Sequence, residues 1–325
     1  MRASLIELSE SFIKNRDIIK QGFAWENSYL YPICAAIFTD KRKTADVERM
    51  KECRDILKSK NGIFSDFRGI SMLPMMAMMA SSDDPEKKLD RAMKVSQALK
   101  EHFWSSQFLP VASMIIADTV DEENYVKIAE RTRKIYDLMK SEHPFLTSSE
   151  DSVFAAMLAL SELSNQQIVG ETEKCYNILK NEFYSANAVQ SLSHVLALSQ
   201  GSAEGKCRAT LALFNDLKEK KHKYGTDYTL ATLGVAAMLP TDIKYLMNDI
   251  IDVDDFLSGQ KGYGFFGLDS KQRIMHAAMI VVSDYIGQSE LMSGAVIEST
   301  LSLVAAQQAA MCAAIAASSA ANAST

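Results

Sequence analysis

Glu150 and Asp151 stand side by side just ahead of an apolar segment, and Asp66, Asp227 and Asp269 hold comparable places ahead of others. Two carboxylates at a pocket mouth can divide general acid and base work, as in glycoside hydrolysis, where they flank the scissile bond about 5 to 10 Å apart. Aromatic and polar side chains accompany these acids in the same short stretches: Phe64, Trp104, Gln107, Thr147, Asn187, Tyr224, Tyr263 and Phe265, with the guanidinium groups of Arg68 and Arg273. That mixture suits a small polar ligand or a peptide. Each residue type also has a structural use, since acids cap helices, arginines pair with acids and aromatics fill gaps between packed helices. The structural reading is weakest at Glu150-Asp151: Thr147 and Glu150 have capping-box spacing, one acid suffices for a cap, and the second has no evident duty.

Other chemistries find little support. His194 and His276 fall inside apolar segments, where a histidine is usually hydrogen-bonded in the core. His276 nevertheless joins the candidate set, because a ring of helices would point it at a central cavity. His102, His143 and His222 end polar segments, where the helix dipole favours a cation. There is no His-Glu-x-x-His, no histidine pair at helical spacing and no calcium loop, so no metal or other cofactor is expected. Asp249, Asp252, Asp254 and Asp255 lack the alternation and glycine of a calcium site and read as solvated helix charge. Phosphate-loop and serine-elbow motifs are missing. The five cysteines, Cys34, Cys53, Cys175, Cys207 and Cys312, are odd in number and scattered, and read as buried thiols of a reducing compartment.

The elements that would position these residues follow a period. Leu57-Lys58, Leu99-Lys100, Met139-Lys140, Leu179-Lys180, Leu217-Lys218 and Leu257-Ser258 recur at intervals of 42, 40, 40, 38 and 40 residues. Self-similarity at that spacing marks one structural unit copied in tandem. Each copy runs from an aromatic turn into an apolar segment, then a polar break, then an amphipathic segment ending on the leucine-lysine mark. The spacing predicts helical hairpins over 24–60, 67–101, 107–142, 149–182, 188–222 and 228–258, with a seventh pair over 270–286 and 291–317. The first helix of each pair, such as 72–80, 154–160 or 233–239, is apolar nearly all round and must be covered on several sides. The second has one wet and one dry face, so first helices form an inner layer and second helices an outer one. Met72, Met75, Met76, Met78 and Met79 crowd one inner helix and read as core. Pro74 fits there if that helix starts near 69–71.

Acidic and basic residues are interspersed, with a net charge of −6 and no basic stripe, so nucleic acid is not an expected partner. The first twenty residues lack the apolar core of a secretory signal. Residues 295–321 are rich in alanine, but Glu298, Gln307 and Gln308 interrupt them, and a helix packed on protein is expected rather than a membrane span. These features place the chain in the cytoplasm.

Phe12-x-x-Asn15-Arg16, Gly62-x-Phe64-Ser65-x-x-Arg68, Phe145-Leu146-Thr147-Ser148-x-Glu150-Asp151 and the alanine-rich end together resemble a bacterial family known only as domain of unknown function 4003. The resemblance spans nearly the whole chain and implies no activity, ligand or catalytic residue. A second likeness is architectural: Gly264-Phe265-Phe266-Gly267 before Ile274-Met275-His276-Ala277-Ala278 resembles the turns of prenyltransferase and terpene-cyclase toroids, without their acidic runs or metal-binding set.

The expected fold is therefore all-α, with tandem hairpins of about 40 residues closed into an α/α toroid, an open α-solenoid being the alternative. The chain reads as one domain, with an N-terminal helix in 1–21, hairpins over 22–286 and an alanine-rich helix and tail over 287–325. The expected function is binding or scaffolding, of a small molecule or protein, on the rim formed by the turns before the inner helices. The candidates there are Asp66, Arg68, Trp104, Thr147, Glu150, Asp151, Asp227, Tyr263, Arg273 and His276. The alternative is a toroid-type enzyme using rim carboxylates on a carbohydrate-like or isoprenoid-like substrate.

Overall fold

The computed structural model describes residues 1–62, 65–69, 71–104, 108–149, 151–199, 201–264, 267–289, 307, 310–312, 314 and 315. Phe64, Gln107, Glu150, Phe265 and most of the alanine-rich segment lie outside them. Among the described residues the regular elements are helices, apart from an isolated parallel bridge between Tyr263 and Leu268. No helix among them is long and apolar enough to cross a membrane.

The α-helices are α1 (Ala3–Gly22), α2 (Leu30–Asp40), α3 (Val47–Lys60), α4 (Met72–Ala80), α5 (Pro85–Lys100), α6 (Leu109–Thr119) and α7 (Tyr125–Glu142). They continue with α8 (Asp151–Ala159), α9 (Asn165–Leu179), α10 (Ala186–Ala197), α11 (Ala203–Glu219), α12 (Leu230–Ala237), α13 (Ile243–Ser258) and α14 (Ser270–Ser289). They fall into two compact units, one of residues 1–13 with 166–313, the other of 14–165 with 314–325. In the second unit α2 packs on α4, α4 on α6 and α6 on α8, while α3 packs on α5 and α5 on α7. In the first, α10 packs on α12 and α12 on α14, while α11 packs on α13. Within each unit these even-numbered helices thus form one layer, and α3, α5 and α7 in the second unit, or α11 and α13 in the first, form the other.

The layering follows from the side chains. In α4 every residue after Met72 is buried, and in α6 Leu109 through Ala117 are. Removing a leucine, isoleucine or methionine side chain from water stabilises by about 1.5–3 kcal/mol, so such helices form by being covered. Pro74 sits in the first turn of α4, where its missing N–H costs nothing. The odd-numbered helices bury one stripe only: Tyr125, Ala129, Thr132, Ile135 and Met139 in α7, or Leu246, Ile250, Val253 and Leu257 in α13. Several of them start on side-chain caps, with Asp46, Asp84, Ser202 and Asp242 accepting from Arg49, Lys87, Gly205 and Lys244 N–H groups. Gly234 lets α12 close on α10, since a Cβ there would fall 2.5 Å from Leu192 Cδ1.

A further period appears in the contacts of the second unit. Arg49 of α3 donates to the carbonyls of Ala80 and Ser82 (3.0 and 2.8 Å), in the turn between α4 and α5. Arg91 of α5 donates to Val120 O (3.1 Å) and Tyr125 Oη (3.1 Å), and Arg131 of α7 to Ser161 O (2.6 Å), Leu163 O and Asn165 Oδ1 (3.2 Å). Each guanidinium reaches the turn of the following helix pair and satisfies orphan carbonyls at a helix end. These arginines lie 42 and 40 residues apart, intervals that also separate the first leucine-lysine marks.

Candidate functional site

In the first unit the turn ahead of α14 is built on glycine. Gly262 and Gly264 have φ of 98° and 106°, a region that L side chains avoid, and a Cβ on Gly267 would meet Gly262 O at 2.2 Å. Gly262 O accepts from Leu268 N and Leu268 O from Gly264 N, both at 3.0 Å. The turn holds half-buried Tyr263 with its hydroxyl 3.0 Å from Nδ1 of buried His276, whose ring also meets Phe12 at 5.9 Å between centroids. A phenol bonded to an imidazole is an acid–base couple able to relay a proton.

One turn earlier on α14, Arg273 grips Asp254 with both arms, Nε to Oδ1 at 2.8 Å and Nη2 to Oδ2 at 3.0 Å. His222 adds Nδ1 at 2.8 Å from the same Oδ2, so that nitrogen carries its hydrogen. The carboxylate, and Asp255 behind it, raise the Arg273 pKa above its ordinary value against the effect of burial. His222, Asp254 and Asp255 bring three metal-ligand atoms within 4.8 Å of one another. Because Arg273 already covers both oxygens of Asp254, a divalent ion there would face a guanidinium, and the cluster reads as an ion-pair network.

The acidic stretch of α13 is thus more than solvated charge. Asp254 lies on the buried side of the helix, and Asp249 accepts from Arg2 Nη2 (2.8 Å) and Tyr285 Oη (3.2 Å). Arg2 also meets the fully buried carboxylate of Asp284 at 2.8 Å, where Ser4 Oγ (3.2 Å) and Gln288 Nε2 (2.8 Å) donate as well. Only Asp252 and Asp255 stay exposed enough to fit the solvated reading. Asp227 serves its own turn, its Oδ1 accepting from Thr229 N at 3.1 Å, and Asp269 caps α14 by accepting from Gln272 N at 2.9 Å.

The second unit carries the other candidates. Asp66 pairs with Lys100 at 3.4 Å, and Arg68 donates to the carbonyl of Lys58 in the last turn of α3. Thr147 donates to Met139 O (3.2 Å), while Lys140 donates to Pro144 O (2.6 Å) and Thr147 O (2.5 Å), so this lysine staples the turn as well as meeting the helix dipole. Glu150 of the expected capping box lies outside the described residues, and the next pair along, Ser148 and Asp151, makes one half of such a box. Asp151 Oδ2 accepts from Ser148 N at 2.7 Å and from Ser148 Oγ at 3.3 Å, so Asp151 is the cap acid. Nearby, Arg133 lies over the rings of Phe103 and Tyr136, 5.5 Å from each centroid. Burial, then Asp151, push the Tyr136 hydroxyl pKa up.

The described acids among the candidates therefore all have structural partners, and what stands open is aromatic. Trp25 before α2, Trp104 before α6 and Phe145 before α8 are fully in solvent in the second unit, as is Tyr184 before α10 in the first. Tyr263, Arg273 and His276 are brought together, as are Thr147 and Asp151. Asp254 and His222 were missed as members of this cluster; helical spacing does put Asp254 beside the buried Val253 and Leu257, which was the available signal.

Comparison with known proteins adds a relative but no activity. Over 331 aligned residues the chain is 23% identical to the uncharacterized protein YeaA of Bacillus subtilis (strain 168), covering 98% of this chain and 97% of that one. No solved structure matches. A family described as "Protein of unknown function (DUF4003)" matches residues 15–309, which takes in Asn15, Arg16, Ser65, Arg68, Thr147 and Asp151, and the chain belongs to that family.

Proposed function

We propose that this chain is a non-enzymatic binding or scaffold protein of the cytoplasm, and that the turns ahead of the even-numbered helices are its docking rim. One observation carries the reading: Trp104 and Phe145, in successive turns of the second unit, are bare, while Asp66 in the turn before α4 and Thr147 and Asp151 in the turn before α8 are engaged in pairs and caps. Large apolar groups held in water contribute nothing to folding, and aromatic residues are the commonest anchors of binding surfaces. In this reading the helix pairs form one tandem array of about 40-residue units closed into an α/α toroid, which the near-total burial of α4, α6, α8 and α12 supports. Small-angle scattering, which separates a ring from an open solenoid, tests the shape.

Trp25 and Trp104 are the two tryptophans of the chain, so the rim carries its own reporter. A thermal-shift screen against sugars, nucleotides, lipids and peptides finds a ligand, since one present at a hundred times its Kd stabilises by about 2.7 kcal/mol. Such a ligand is expected to shift indole emission to shorter wavelength and protect it from acrylamide. A stabilising ligand that leaves both tryptophans as open as before sinks the rim.

The second reading, an enzyme of the toroid type acting on a carbohydrate-like or isoprenoid-like substrate, draws on the Tyr263–His276 couple. It has less behind it, because the described rim carboxylates are already occupied. Substrate turnover abolished by Tyr263→Phe would favour it.

A further inference from the structure

The first unit holds a feature unconnected with the rim. Cys175 lies on α9 and Cys207 on α11, and the Cys207 side chain reaches the main chain of Cys175. The Cys207 sulfur lies 3.8 Å from the carbonyl oxygen of Cys175. One turn back on α9, Glu171 Oε2 accepts from Lys206 Nζ at 3.2 Å, and Lys206 also donates to Ser199 O at 3.2 Å. The two helices are therefore held in register at two adjacent points. A disulfide needs Cα atoms about 4.4–6.8 Å apart and side chains that face each other. A sulfur that already touches the main chain of the opposite cysteine can be turned toward its thiol by side-chain rotation.

We propose that Cys175 and Cys207 form a reversible disulfide that clamps α9 to α11 when the protein meets hydrogen peroxide. The Cys175 thiolate attacks one peroxide oxygen, giving a sulfenic acid and, after protonation, water. The Cys207 sulfur then displaces the sulfenic hydroxyl, which leaves as a second water with the proton lost by Cys207. Two thiols and one peroxide thus become one disulfide and two waters, and a dithiol reductant reverses the change. The order follows from the contact: Cys207 gives its S–H to the Cys175 carbonyl and so keeps its proton, its pKa raised by that neighbour and by burial, while contact with Cys207, aided by Lys206, lowers the Cys175 pKa against burial. Attack requires the thiolate, so Cys175 goes first. Burial raises the other thiols, Cys53 to about 11 and Cys312 to about 12, with Cys34 shifted the same way, which leaves them protonated and slow. Both members of the pair are shut from water, so peroxide enters through local opening and bulkier oxidants are kept out.

The test uses the folded full-length chain, treated with peroxide, then denatured, alkylated and digested with trypsin. The expected product joins residues 175–180 to residues 207–208, the thiol count falls from five to three, and dithiothreitol restores it. In Cys207→Ser, dimedone is expected to label Cys175; in Cys175→Ser, it leaves Cys207 unlabelled. The proposal fails if all five thiols survive a dose that oxidises exposed Met1, or if Cys175 advances to sulfinic acid with no cross-link. The wild-type digest decides this even where a variant folds poorly.

Discussion

Arg273 lies across the carboxylate of Asp254 in a two-point grip, 2.8 and 3.0 Å, and His222 closes on the same carboxylate from α11's end of the unit. Asp254 is buried while Arg273 keeps part of its surface in water. Removing the acid therefore strands a cation that can only partly rehydrate. Asp254→Ala is expected to cost about 3 kcal/mol, the lower end for a broken buried pair. Urea unfolding measures it, and Asp254→Leu combined with Arg273→Met should recover much of the loss, because the pair is removed whole. A single mutant within 0.5 kcal/mol of wild type, on the order of a surface change, would show that the grip carries no weight.

The arginine that reaches neutral carbonyls should behave unlike a surface ion pair. Arg131→Met leaves Ser161 and Leu163 carbonyls without their donor and is expected to cost about 1.5–3 kcal/mol. Lys94→Ala, which removes an exposed partner of Glu122, should change stability by under about 0.5 kcal/mol. Unfolding midpoints at low and high salt separate them further: the Arg131 effect should persist, since its acceptors carry no net charge to screen.

Lys88 supplies a pH signature. Burial lowers its pKa, and the nearby Asp118 only partly offsets this. A lysine whose folded pKa is depressed binds fewer protons folded than unfolded, so stability rises with pH between the folded value and the unfolded one of 10.5. Lys88→Met should therefore hold or raise stability at neutral pH and flatten that alkaline rise. Thermal melts from pH 8 to about pH 10.5 check it; a Met variant that melts lower across the range and keeps the slope would contradict the assignment.

The cap at α8 gives a smaller effect. Asp151→Ala removes the acceptor of Ser148 N and Oγ and should cost about 1 kcal/mol, with Asp151→Asn intermediate. Ligand binding by the rim should survive the conservative change, because Asp151 acts on its own turn. Should Asp151→Asn abolish binding while melting like wild type, this acid touches the ligand directly.

Much of the architecture is legible in the residue order. Met75, Ile115 and Leu158 sit in segments with no polar face, and such segments have no stable place except under cover. The single wet face of α7 and the caps at Asp46 and Asp84 are equally local, because helical period and N-cap chemistry act within a few residues. The candidate site was legible in part. That Tyr263, Arg273 and His276 share a turn and the helix it enters follows from their spacing.

Their partners do not. Asp254 is 19 positions from Arg273 and 32 from His222, and Cys175 is 32 from Cys207. Whether such residues meet depends on how far each helix is rotated about its axis and slid along its neighbour, which is set by the interlocking of many side chains at once. The same packing turned Asp254 and Asp249 inward to their arginines and left Trp104 and Phe145 outside. Helix identity, polarity and ends were thus determined by the sequence through short-range periodicity and capping, while pairing, burial of charge and exposure of the aromatics were decided only when the helices docked.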